Sequence, residues 1–344
     1  LPRDASLAAP LDERAAAAFE RGQILDRLGD FPQAYADFVE GNRLLAETPA
    51  ARGIDRALFP DMIARLRACF TAAWVSSWTP SPDDPEPPPL FLVGFPRSGT
   101  TLLDQILDSH PALTTMEEKD ALDQVRRAVQ ALPGGYPEAL AGLSTETLAD
   151  LRRLYRAEAR RHVGDLGQRL LVDKMPLNTI DTGLIHRLFP RARILLALRH
   201  PCDVVLSGFM QAMQPNAAMV LFDSVLSTAR FYAQVMDLWL QYRSVLPLSV
   251  VSTRYEDLVA DLAGETRRIL AGLGLPWDDA VLGYAEHAKT RAISTPSYHQ
   301  VVQPIYRRSV DRWRNYAFAF DEALPVLQPF LARFGYAPPD AATP

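Results

Sequence analysis

The spacing of apolar residues along this chain changes at residue 89: helical periodicity before it, short uninterrupted apolar runs separated by amphipathic stretches after it. From Asp12 to Glu47 the pattern predicts two helices turning at Leu28-Gly29-Asp30-Phe31. The first carries Ala16, Phe19, Ile24, Leu25 and Leu28 on an apolar stripe, the second Ala34, Phe38, Leu44 and Leu45. Asp61 to Trp78 reads as a further amphipathic helix through Ile63, Leu66, Phe70 and Trp74. Thr79-Pro-Ser-Pro-Asp-Asp-Pro-Glu-Pro-Pro-Pro89 then excludes helix and central strand, because proline lacks the backbone donor and fixes φ. A semi-rigid extended connector is expected there, and with it a domain boundary.

Beyond the connector, strands are expected at Leu90–Val93, Arg169–Asp173, Arg193–Leu198 and Leu248–Thr253. Helices are expected at Thr101–Asp108, Leu148–Val163, Ile180–Leu188, Val204–Met213, Ser224–Tyr242 and Leu262–Leu273. Apolar strands alternating with helices imply an α/β fold, a P-loop-like parallel sheet flanked by helices, with a small all-helical segment in front of it. The organisation read from this is a helical segment over 1–78, the connector over 79–89, an α/β domain over 90–338 and a tail over 339–344. Ligands of such sheets sit at the carboxyl ends of the strands.

The first strand runs into Gly94-Phe-Pro-Arg-Ser-Gly-Thr-Thr101 and then a helix. Turn amides, the unsatisfied donors of the first helical turn and the positive end of the helix dipole converge there, so the segment predicts an anion site. The Gly94-x4-Gly99 spacing matches a nucleotide-triphosphate loop, yet Thr100 and Thr101 stand where such a loop needs Lys and then Ser or Thr. The cation has moved to Arg97 inside the turn. Without the lysine, triphosphate hydrolysis is disfavoured, and Arg97, Ser98, Gly99, Thr100 and Thr101 suit a compact anion bound without metal.

The 344 residues hold one large domain and a small one, and 48% apolar residues supply an ordinary globular core. A net charge of −5, with no long Lys/Arg run, argues against nucleic acid or an anionic membrane as bulk partner. No apolar window approaches the length of a membrane span, and no signal peptide is visible, although a start at Leu1 fits a fragment of a longer chain. Cys69 and Cys202 lie in unrelated contexts without metal spacing, which points to a reduced cytoplasmic setting.

Phe95-Pro-Arg-Ser-Gly-Thr-Thr-Leu-Leu103 resembles the 5′-phosphosulfate loop of sulfotransferases that use 3′-phosphoadenosine-5′-phosphosulfate (PAPS), above all tyrosylprotein sulfotransferases and bacterial sulfotransferases with tetratricopeptide repeats. The resemblance runs over about residues 89 to 337 and implies roles residue by residue. Arg199 at a strand tip and Ser207 eight residues on would meet the 3′-phosphate. Glu118, seven residues after Pro111, would be the general base, with Glu117 the alternative under a one-residue shift. Lys174 in Val172-Asp-Lys-Met-Pro176 would stabilise charge on the bridging oxygen and the sulfuryl group. Tyr255, in Arg254-Tyr-Glu-Asp-Leu258, would contact the nucleotide; Ser297 would lie near the transferring group and Arg312 near the 3′-phosphate. Where some relatives place an arginine after the serine of the 3′-phosphate helix, this chain has Gln211. Leu28-Gly29, Phe31, Ala34 and Phe38 resemble the core of one tetratricopeptide unit, an ordinary helical hairpin being the other reading.

The resemblance thus implies an enzyme moving a sulfuryl group from PAPS to a hydroxyl acceptor, with 3′,5′-adenosine bisphosphate (PAP) as product and no metal. The acceptor would be a protein tyrosine or else a sugar, lipid or small-molecule hydroxyl, its entrance lined in part by Gly208 to Arg230, and the repeat-like segment would engage a protein partner. Two other functions compete: a P-loop small-molecule kinase, in which Lys174 clamps phosphate, and a catalytically inactive nucleotide-binding scaffold. His110 and His200 each precede a proline and are read as structural.

Overall fold

The computed structural model describes residues 9–289 and 309–337. Contacts divide them into two compact units that interleave in sequence: one runs from Ile63 to Arg199 and resumes at Asp237, and the other takes residues up to Met62, His200–Met236 and the described stretch after 308.

Among the described residues the α-helices are α1 (Leu11–Leu28), α2 (Phe31–Ala46), α3 (Pro49–Arg52), α4 (Leu58–Cys69), α5 (Ala72–Ser76), α6 (Thr100–Asp108) and α7 (Ala121–Gln130). There follow α8 (Thr145–Val163), α9 (Thr182–Leu188), α10 (Pro201–Phe209), α11 (Val225–Val245), α12 (Tyr255–Ala260), α13 (Leu262–Gly272), α14 (Tyr284–Lys289) and α15 (Leu324–Arg333). Strands β1 (Leu90–Gly94), β2 (Leu113–Glu117), β3 (Leu170–Lys174), β4 (Arg193–Leu198) and β5 (Ser249–Arg254) form one sheet in the order β2-β3-β1-β4-β5, and every neighbouring pair is parallel. The central β1 is buried along its whole length and β4 in all but its first residue, as expected of strands covered on both faces. Four of the strands lie where the apolar runs place them. The fifth, β2, fills a stretch expected only to carry an acidic pair. Its Thr114-Thr115 centre hides the period, and it is an edge strand: the outward Thr115 N–H donates to Asp108 Oδ1 at 2.8 Å instead of to a sixth strand.

The helix expected over Asp61–Trp78 is broken. α4 stops at Cys69, and Thr71 caps α5 by accepting from the Trp74 N–H. The break turns Phe70 inward, where it is fully buried with its ring centroid 4.9 Å from Trp74 and 4.8 Å from Tyr242. Only a glycine at 183 leaves room for that ring, since a Cβ there would lie 2.1 Å from it.

The proline-rich stretch forms neither helix nor strand, yet it is pinned along its length. Buried Arg187 donates to the Thr79 carbonyl at 2.6 Å and to the Leu143 carbonyl, buried Arg152 donates to Ser81 Oγ and the Pro82 carbonyl, and Arg156 pairs with Asp84 at 2.6 Å. These arginines supply the donors that prolines lack.

In the other unit, α1 and α2 form the expected hairpin. Gly29 closes α1 in the left-handed region (φ 83°), and the Asp30 side chain caps α2 by accepting from the Gln33 N–H. The buried stripe of α1 is Ala15, Ala18, Phe19 and Gly22, whereas Ile24 and Leu28 of the expected stripe are 52% and 76% exposed. The helices approach through glycines. A Cβ at Gly22 would strike Phe38 and one at Gly41 would touch Phe19, so the face with the smallest residues, not the most apolar one, makes the contact.

Candidate active site

The carboxyl end of the sheet gathers side chains from all five strands in spatial order: Glu117 and Glu118 from β2, Lys174 from β3, the turn after β1, Arg199 after β4 and Tyr255 after β5. At about 4.8 Å per strand this row covers about 19 Å. The chain leaves β1 toward β2 and leaves β3 toward β4, in opposite directions, so the crevice of the switch point opens between the β1 turn and the tip of β3.

Two residues of the β1 turn hold φ values that suit glycine. Gly99, at φ 92°, caps α6, and Arg97 stands at φ 76°, where a non-glycine residue is strained. Both residues lie directly before α6, whose Thr100 and Thr101 are buried. Thr179 steadies the strand end by donating to the Gly94 carbonyl at 2.9 Å.

Arg199 reaches the same turn. Its Nη1 donates to the Arg97 carbonyl at 3.1 Å, and its guanidinium lies 4.9 Å over the Tyr255 ring. A Cβ at Gly99 would approach Tyr255 Cδ2 to 2.8 Å, so the tyrosine packs directly on the turn. Arg97, Arg199 and Tyr255, which are 158 residues apart at the extremes by their numbers, therefore form one surface.

On the other side of the crevice, Lys174 Nζ donates to Glu118 Oε1 at 2.8 Å and to Glu117 Oε1 at 3.1 Å. The two carboxylates differ in access. Glu117 pairs in register with Lys174 and its side chain is 7% exposed; Glu118, at φ 49°, is 36% exposed. The Glu118 N–H still bonds the Lys174 carbonyl at 2.8 Å, so the last rung of the ladder fixes the carboxylate that faces outward. Lys174 itself is fully buried. Burial pulls its ammonium down, but Asp104, Glu118 and Glu117 outweigh that and hold it above its ordinary value. A permanently charged lysine beside an accessible carboxylate suits proton abstraction coupled to charge stabilisation.

Ser207, on α10, and Arg312, which opens the short helical segment Arg312–Ala319, belong to the other unit. There Arg312 pairs with Asp26 at 2.6 Å, and the Tyr316 hydroxyl donates to the same aspartate. Asp203 accepts from the Asp311 and Trp313 N–H groups and fixes that segment on α10. Ser297 lies outside the described residues. His110 accepts from the Ala112 N–H through Nδ1 and bonds the Pro276 carbonyl through Nε2, and His200 stacks on Trp313, both structural uses.

Asp104 was not anticipated. It is fully buried on α6, bonded by Gln105 Nε2, and its charge acts on Lys174. The available signal was an acid amid Leu102, Leu103, Ile106 and Leu107. Asp173 was also missed: it accepts from the Tyr155 hydroxyl at 2.8 Å behind Lys174, and burial pushes its carboxyl up to about 7.

Residues 88–279 match the family described as "Sulfotransferase family". An uncharacterized protein of Aquifex aeolicus is 28% identical over 334 residues, covering 94% of this chain, which in turn spans 42% of that relative. Protein-tyrosine sulfotransferase A of Caenorhabditis elegans is 27% identical over 263 residues, 73% of this chain and 68% of that protein. Among solved structures, the sulfotransferase domain from the curacin biosynthetic pathway superposes with a TM-score of 0.50 at 20% identity, covering 74% of this chain and all of that domain, a likeness of fold.

Proposed function

The chain belongs to the sulfotransferase family, and from that premise we propose that it transfers the sulfuryl group of PAPS to a hydroxyl acceptor, with Glu118 as general base. The observation that carries the reading is the 2.8 Å contact between an accessible Glu118 and a buried, charged Lys174, one strand from an anion-binding turn. The acceptor O–H gives its proton to Glu118 while its oxygen bonds to sulfur; the bond from sulfur to the 5′-phosphate oxygen breaks, and PAP leaves with that electron pair. Lys174 and Arg97 stabilise the charge that grows on the leaving oxygen and on the sulfuryl oxygens. Once Glu118 is protonated it holds Lys174 less strongly, which releases the ammonium toward the leaving group at the moment its charge appears.

The turn fits the donor. Its amides, Arg97, and the α6 N-terminus suit the 5′-phosphosulfate, and Arg199 is assigned to the 3′-phosphate with Tyr255 beside the nucleotide. The roles of Ser207, Ser297 and Arg312 rest on the sequence resemblance alone. A tyrosine-sulfating relative supports a hydroxyl acceptor, phenolic or otherwise. Calorimetry tests the reading: PAP is expected to bind at least tenfold more tightly than ATP, with or without magnesium. Equal or tighter ATP binding refutes it in favour of a kinase-like enzyme.

A further inference from the structure

A small cleft of about 160 Å³ opens within the unit that contains the α1–α2 hairpin. Leu45, Ile54, Met213, Met219, Val220 and Phe222 supply apolar wall, and the two methionines can adapt to an irregular occupant.

Charge defines the occupant further. Three charged residues line the cleft: Arg52, Arg56 and Asp223. Arg56 and Asp223 neutralise each other at 2.7 Å. Arg52, the exposed end of α3, makes no ion pair among the described residues, so the lining carries one uncompensated positive charge. Asn42, deeper in the wall, has both amide hydrogens committed, to the Phe38 and Phe209 carbonyls at 2.9 Å each, and so offers no donor to a polar tail. A largely apolar wall, interrupted by Gln211 and carrying one uncompensated cation, matches a molecule apolar along its body and anionic at one end.

We propose that this cleft binds a small monomeric amphiphile, an apolar body carrying a single carboxylate or sulfate that meets Arg52. Its lining from Gln211 to Asp223 falls within the Gly208–Arg230 stretch expected at the acceptor entrance, but the test below reads binding alone and does not depend on the sulfuryl-transfer assignment.

Calorimetry on the full chain with decanoate, kept below its aggregation concentration, and with 1-decanol as uncharged control provides the test. Decanoate is expected to bind at least fivefold more tightly than 1-decanol. Arg52→Gln, an exposed change that leaves the core untouched, should bring decanoate to the level of the alcohol. Met213→Trp should abolish both by filling the cleft, with the far-UV circular dichroism spectrum and PAP affinity unchanged in either variant. Equal affinity for the two probes, decanoate binding unaffected by Arg52→Gln, or binding that survives Met213→Trp overturns the proposal. So does light scattering that shows a dimer dissociated by Val220→Glu, because the cleft would then be a contact between copies of this chain.

Discussion

The two flanks of the crevice solve different problems with different parts of the chain. The β1 turn works through its backbone: Arg97 and Gly99 take positive φ immediately before the start of α6. The β2–β3 tip works through side chains, a buried lysine satisfied by carboxylates from the neighbouring strand. Backbone geometry demands particular residues at fixed short spacing, whereas an ion cluster can be assembled from any strands the topology makes neighbours. The first flank is therefore local in sequence and the second is not.

The comparison is broken most severely at Glu118. Glu118→Gln removes the proton acceptor while keeping a hydrogen-bond acceptor for Lys174, so turnover should fall by about 10²–10⁴-fold while PAP affinity stays within twofold. Retained turnover in a steady-state assay would take Glu118 out of its role. Lys174→Met comes next: it leaves Glu117 nearly buried without its cation, which should cost about 3–5 kcal/mol in chemical denaturation, and adding Glu117→Gln should recover a large part. A Lys174→Met protein as stable as the parent would show that the cluster is not a structural ion pair.

On the other flank, Gly99→Ala meets both an unfavourable φ and the Tyr255 ring. PAP affinity should drop roughly tenfold with turnover of bound substrate less affected, a loss of about 1.4 kcal/mol; unchanged affinity would mean that the turn does not hold the nucleotide. The smallest effect concerns Asp173, whose carboxyl burial pushes up to about 7. Below about pH 4 it is neutral in folded and unfolded chains alike. As pH rises toward about 7 only the unfolded chain releases the proton, so this group lowers stability progressively across that window and not further above it. Asp173→Asn, with the Tyr155 hydroxyl still bonded to the amide oxygen, should flatten the slope of Tm against pH between 4.5 and 7. An unchanged slope would rule out Asp173 as its source.

The apolar runs at Leu90–Val93 and Arg193–Leu198 announced themselves because strands buried on both faces tolerate nothing else. β2 did not, because an edge strand satisfies its outer donors with a side chain such as Asp108 and needs no continuous apolar run. The helix break at Phe70 was equally silent: its cause is the space left by Gly183, more than a hundred residues away. In the hairpin, Gly22 and Gly41 decided which face of α1 is buried, against the more apolar Ile24 and Leu28.

By itself, then, the order of residues determined the glycine-bearing turn after β1, the alternation of strands and helices, and the family likeness, all of which rest on short-range backbone demands and local periodicity. Only the tertiary structure decided that Glu117, Glu118 and Asp104 surround Lys174, that Arg199 and Tyr255 close on the turn, and that buried arginines pin the proline-rich connector. The physical reason is that charge pairing and close packing depend on distance in space, and the strand order β2-β3-β1-β4-β5 brings together residues that the chain keeps far apart.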